Sequence, residues 1–195
     1  MKSVVRLALA LFFAKASLFA SADLDLGSRA AGTPYDPYLR PVKEVLSSLH
    51  GGAPSMERVR RLMREGRSFH YAFTDPYVAA LPAVTATRKA GDCKAKSLWL
   101  CEQLGDPNLR YVIGKSRRGA RLSHAWVMWQ HAGGWWILDC TNTNRPIPAS
   151  SISKNEYIPL YSYDRTSAYH HVASVGDGTD QGLADALTTW FGPGP

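Results

Sequence analysis

Gly91-Asp92-Cys93-Lys94-Ala95-Lys96-Ser97-Leu98-Trp99-Leu100 reads as a turn that delivers a cysteine to the first position of an apolar helix. Backbone N–H groups at a helix start lack intrahelical partners and the dipole there is positive, so a thiolate is favoured at Cys93. The thiolate is the nucleophilic form of cysteine. Ala95, Leu98, Trp99, Cys101 and Leu104 fall on the buried positions of a helix over Cys93 to Leu104, with Gly105 and Pro107 as its stop. Lys94 and Lys96 add positive charge beside the thiol, which further favours its ionised form.

Upstream of this stretch the pattern is helical. Val42, Val45, Leu46 and Leu49 form one stripe on a short helix that begins at Pro41. Ser55 caps a second helix, Met56 to Glu65, with Gly66 as its stop, and Arg58, Arg60, Arg61 and Arg64 read as its solvated face. Phe69, Tyr71 and Phe73 alternate as a short strand. Asp75-Pro76 and Leu81-Pro82 then break the run to Ala90, which carries no evident oxyanion-hole side chain. Downstream the period becomes that of strands: Arg110 to Lys115, Ser123 to Gln130, Trp135 to Cys140, Glu156 to Tyr163 and Ala168 to Val175. Gln181 to Trp190 reads as a short terminal helix. Helices followed by an antiparallel sheet make an α+β plan.

Two of those strands carry groups that would complete a site around Cys93. They are Ser123-His124-Ala125-Trp126 and Trp136-Ile137-Leu138-Asp139. An imidazole takes the thiol proton, and a carboxylate fixes its tautomer and stabilises the imidazolium. A loop from His131 to Gly134 pairs Gln130 with Trp135, so Trp126 faces Asp139 and His124 lies diagonal to it on the same face, about 7–8 Å away between backbones. One residue more or less in that loop would put the two on opposite faces. The candidate catalytic residues are therefore Cys93, His124 and Asp139. There is no Gly-x-Ser-x-Gly elbow, no His-Glu-x-x-His helix and no Cys-x-x-Cys pair. His170 and His171 are adjacent on a strand and point to opposite faces, which is no arrangement for one metal, and Val172 beside them fits the core sheet. Neither a metal nor a cofactor is expected.

Gly-Asp-Cys-Lys-x-Lys before an apolar helix, then Ser-His-Ala-Trp-Val, then Trp-Trp-Ile-Leu-Asp-Cys-Thr-Asn, resembles the core of the transglutaminase-like superfamily over Phe69 to Tyr163. Within it, the bacterial transglutaminase-like cysteine peptidases are nearest. The resemblance implies a papain-like, transglutaminase-like α+β fold with the Cys-bearing helix packed on an antiparallel sheet. It also implies Cys93, His124 and Asp139 as the catalytic residues of a peptidase. Some periplasmic members have acids directly after the cysteine and depend on calcium. Lys94 and Lys96 stand there in this chain, so calcium is not carried over. The tryptophan common upstream of the cysteine motif has no evident counterpart.

Met1 to Ala22 has the form of a secretory signal: Lys2 and Arg6, the apolar Leu7 to Ala14, and the small residues Ala20-Ser21-Ala22. The apolar run is too short to span a bilayer. A periplasmic or secreted protein with no stable membrane insertion is expected. The remainder divides into a leader with a short helix (23–50), a catalytic domain (51–175) and a C-terminal tail (176–195). The whole chain holds 23 basic and 16 acidic residues, net +7. Without Lys2, Arg6 and Lys15 the balance is 20 against 16, net +4, which is not the footprint of a nucleic-acid binder. Of the three cysteines, Cys101 and Cys140 are the pair whose disulfide would spare Cys93, and two free buried thiols are the other reading. The expected activity is cleavage of peptide or isopeptide bonds in a protein or peptide substrate through an acyl-enzyme. Transamidation on the same triad and a non-catalytic binding module on the same fold are the alternatives, and the oligomeric state is open.

Overall fold

Alternation along the strands sorts their side chains onto two faces, and helices cover one of them. The computed structural model describes residues 24–75 and 77–173. The signal-like Met1 to Ala22 and the helix expected over Gln181 to Trp190 lie outside these. The described strands are β1 (Ser28–Ala30), β2 (Leu109–Arg117), β3 (His124–His131), β4 (Gly134–Leu138), β5 (Ile147–Pro148), β6 (Glu156–Tyr163) and β7 (Ala168–His170). They form one antiparallel sheet in the order β1-β7-β6-β2-β3-β4-β5. The helices are α1 (Arg40–Ser48), α2 (Met56–Ser68), α3 (Pro82–Arg88) and α4 (Cys93–Leu104). The molecule is α+β, with helices packed on an antiparallel sheet.

Leu109, Tyr111, Ile113, Ala125, Val127 and Trp129 face the helices. Val112, Trp126, Met128 and Ile137 face the other way, where Ile147, Ala149 and Ile152 cover them. Nine of the twelve residues of α4 are buried, the pattern of a helix enclosed on all sides. Val42, Val45 and Leu46 of α1 and Val59, Leu62 and Met63 of α2 share its core. Asp92 caps α4 by accepting from the Ala95 N–H at 3.1 Å, and Gly105 ends it in the left-handed region.

The β3–β4 hairpin has the expected register, Gln130 opposite Trp135. Its loop is tighter than expected: His131 pairs with Gly134, leaving Ala132 and Gly133 as a two-residue turn with φ 50° and 77°. Positive φ at both positions matches the twist of the flanking strands.

Several local expectations are corrected. Helix α2 runs through Gly66 to Ser68. Gly66 stands where a Cβ would come within 2.8 Å of Cys140 Sγ and the Trp99 ring, so the glycine permits close approach of α2 to the core and is no stop. Phe69, Tyr71 and Phe73 form no strand, because their segment runs beside a short link between two helices and makes a single bridge, His70 to Ala90. Pro82 opens α3, since a missing N–H costs nothing at the first helical position. The leader also joins the sheet: β1 pairs with β7, and Thr33 Oγ1 lies 2.6 Å from the Tyr163 hydroxyl. Strand β7 ends at His170. His171 turns inward between Ser162 Oγ at 2.8 Å and the Asp25 carbonyl at 3.0 Å, and Val172 is 73% exposed instead of in the sheet. Cys101 and Cys140 are free buried thiols, as is Cys93.

Candidate active site

Cys93 is the first residue of α4, so its N–H has no partner within the helix. His124 opens β3, and Asp139 follows the last residue of β4. Two contacts bring the helix to the hairpin. Ser97, one turn beyond Cys93, donates its hydroxyl to the Ala125 carbonyl at 3.0 Å. The Cys140 thiol lies 3.7 Å from the Lys96 carbonyl. The residue after His124 and the residue after Asp139 are thus both tied to the first turns of α4.

His124 Nε2 lies 2.8 Å from Asp139 Oδ2. The Cys93 side chain is the other group beside the imidazole that favours its cation. With Nε2 held by the carboxylate, Nδ1 is the nitrogen left for the thiol. Burial works against the His124 cation. The hydrogen bond to Asp139 and the charges of Asp139 and Cys93 outweigh it, and the imidazole is held up at about 10.

Asp139 is fully buried and saturated with donors. Oδ1 accepts from the Thr141 and Asn142 N–H groups at 3.0 and 3.2 Å. Oδ2 accepts from the Asn142 side-chain amide at 2.9 Å and the Tyr157 hydroxyl at 3.0 Å, besides His124. Burial alone would raise this carboxyl, but the donors, led by His124, bring it below the usual carboxylate value. Asn142 Nδ2 also lies 3.1 Å from His124 Nε2. A ring nitrogen that donates to Asp139 cannot also accept, so the amide serves the carboxylate.

Tyr157 is a member of the site that lies far from it in sequence. Its φ is 46°, rare for a bulky non-glycine residue. Its ring meets Trp126 edge-on at 5.5 Å, while His124 stacks on the same Trp126 at 6.1 Å. Trp126 is thus a shared platform for the acceptor's partners. Asn142 carries a local signal, an Asn three residues after an Asp at a strand end. Tyr157 carries none, because only the pairing of β6 with β2 brings it there.

The two lysines are placed differently from expectation. The Lys94 ammonium is paired with Asp92 and lies 5.1 Å from the Phe73 ring centroid. Lys96 is buried and donates to the Phe69 carbonyl at 2.6 Å, at the C-terminal end of α2. Burial lowers its pKa. The cation that faces the Cys93 thiol is His124, and neither lysine is needed for that role. Burial pushes the Cys101 thiol far up and the Cys140 thiol up to about 12. Among the described residues, no group of three or more His, Cys, Asp or Glu is placed to hold a metal ion.

No family model matches the chain, and no curated protein does. Among solved structures, it is similar to LapG of Legionella pneumophila at 18% identity, covering 81% of this chain and 90% of that one with a TM-score of 0.48. Calcium-bound LapG matches at 16% identity, 65% and 74% coverage and a TM-score of 0.47. A candidate cysteine protease from Cytophaga hutchinsonii matches at 17% identity, 69% and 59% coverage and a TM-score of 0.38. At such values the roles of individual residues rest on the geometry above.

Proposed function

We propose that the chain is a cysteine hydrolase that cleaves peptide or isopeptide bonds through Cys93, His124 and Asp139. One observation carries the reading: the His124 imidazole lies 2.8 Å from a buried carboxylate, and its cation is favoured by that carboxylate and by a thiol at a helix start. Each group alone has a structural use, but this order of thiol, imidazole and carboxylate is the one acyl transfer needs.

In the first half-reaction the Cys93 sulfur bonds to the carbonyl carbon and the carbon–nitrogen bond breaks. The leaving amine takes the proton of the His124 imidazolium. The developing oxyanion meets the Cys93 N–H, which points out of the helix start with the positive end of its dipole. In the second half-reaction His124 takes a proton from water, whose oxygen displaces the sulfur. Asp139 keeps the imidazole in one tautomer throughout. Replacing water with an amine gives transamidation on the same groups.

Export belongs to this proposal through the reading of Met1 to Ala22, and the substrate is then a protein or peptide outside the cytoplasm. No helix among the described residues is long and apolar enough to cross a membrane. The test is release of new amino termini from fluorescein-labelled casein by the wild-type chain and by Cys93→Ala, with and without added glycine methyl ester. Release that requires Cys93 supports hydrolysis. Capture of the ester on the new carboxyl ends assigns transamidation, and equal release by both chains rejects the reading.

A further inference from the structure

Eight large apolar side chains are exposed among the described residues, and six of them fall in sequence close to Cys93 or His124. Tyr71, Phe73, Val78, Leu81 and Val84 lie on the stretch that leads through α3 to Cys93, and Leu122 lies two residues before His124. Exposed apolar side chains beside a reactive group mark a candidate site of contact.

The backbone sets the first two of these beside the nucleophile. His70 bridges Ala90, and the Ala72 N–H donates to the Gly91 carbonyl at 3.3 Å. Thr74 donates to Asp92 Oδ2 from its N–H at 3.2 Å and its hydroxyl at 3.0 Å. Residues 70–74 therefore run alongside the Ala90-Gly91-Asp92 turn that begins α4, with Tyr71 and Phe73 at 52% and 61% exposure on alternate positions. Burial raises the Tyr71 phenol, and the Cys93 and Asp92 charges beside it raise it further. The nearby Lys94 charge is balanced by Asp92. A charged substrate group gains no counter-ion from these two rings, whereas an apolar one gains contact and sheds water.

We propose that Tyr71 and Phe73 form the apolar wall of the substrate site, with Leu122 on the His124 side, and select a protein substrate that carries a bulky aliphatic or aromatic side chain next to the scissile bond. This rests on the reading of Cys93 as the nucleophile. The wall acts on the substrate's side chain and leaves the bond-breaking steps as described.

The test compares alkylation of Cys93 in the full chain by iodoacetamide and by N-(2-phenylethyl)iodoacetamide. Each rate is divided by the rate of the same probe with glutathione, which removes intrinsic reactivity. The phenylethyl probe is expected to gain about tenfold over iodoacetamide. Tyr71→Ser and Phe73→Ser each lower that gain toward one, and Phe73→Leu, which keeps an apolar wall, retains most of it. A gain near one in the wild-type chain, or a gain that survives both serine variants, overturns the proposal. So does a wild-type dimer that Phe73→Ser dissociates, since a second copy is then the occupant. Failure of the nucleophile reading shows separately, as an iodoacetamide rate on Cys93 no higher than on glutathione, and removes the proposal with it.

Discussion

Ser97 Oγ donates to the Ala125 carbonyl at 3.0 Å, which joins the helix that begins at Cys93 to the residue next to His124. Both atoms are buried, so the bond has no water to replace it. Ser97→Ala removes this buried hydrogen bond, at a cost of about 1 kcal/mol. Urea unfolding should show that loss. Turnover per folded molecule should fall as well, since Cys93 and His124 are no longer held in one register. A variant of unchanged stability and turnover would show that packing alone aligns the two elements.

Tyr157 positions Asp139 without touching the reacting atoms. Tyr157→Phe keeps the ring on Trp126 and removes only the donor to Oδ2. Misplacement of a catalytic group by a fraction of an ångström to an ångström costs on the order of 10- to 100-fold in rate. The loss should fall on kcat, with KM little changed. The Tyr157 hydrogen bond helps to lower the Asp139 carboxyl, so without it the acid limb of the pH profile moves upward. A merely structural role would leave that limb in place.

The His124–Asp139 pair should give a pH dependence of defined sign. The His124 pKa is raised from 6.5 to about 10 in the folded chain. Its contribution to stability is full below 6.5 and lost as pH rises through about 10. Asp139 is lowered from 3.8, so its contribution is present above that value and lost as pH falls through the lowered one. These are one ion pair seen from its two partners, not two additive effects. Urea midpoints of the wild-type chain should therefore fall between pH 7 and 10 more steeply than those of His124→Ala. Parallel curves would mean that the imidazole is neutral in the fold.

Chelation should have no effect on the Cys93 end of α4. Asp92 is fully engaged: Oδ1 caps the helix, and Oδ2 accepts from Thr74 and from the Lys94 ammonium. Excess EGTA should leave the thermal midpoint and the Cys93 alkylation rate unchanged. A drop in either that calcium restores would contradict this.

Local pattern carried much of this arrangement and tertiary pairing the rest. The α4 helix was legible from Asp92, its apolar positions and Gly105, which are all local signals. The diagonal of His124 and Asp139 was legible because a hairpin register follows from its turn. Helix α3 was not, because Pro82 reads as a breaker unless the helix begins on it. The destinations of Lys94 and Lys96 were not, because both depend on groups outside their own helix: the Asp92 cap for one and the Phe69 carbonyl for the other. Tyr157 was invisible for a related reason. Its place beside Asp139 needs the β2–β6 pairing and a left-handed backbone that nothing in its neighbours announces.

The most direct measurement is the site and rate of alkylation by iodoacetamide at pH 6, read by peptide mass spectrometry. Activation of Cys93 by His124 predicts labelling at Cys93 alone, slowed at least tenfold in His124→Ala. Cys101 and Cys140, buried and shifted toward the neutral thiol, should stay unlabelled. Labelling that spreads to those two, or that proceeds at Cys93 equally fast without His124, would contradict the account.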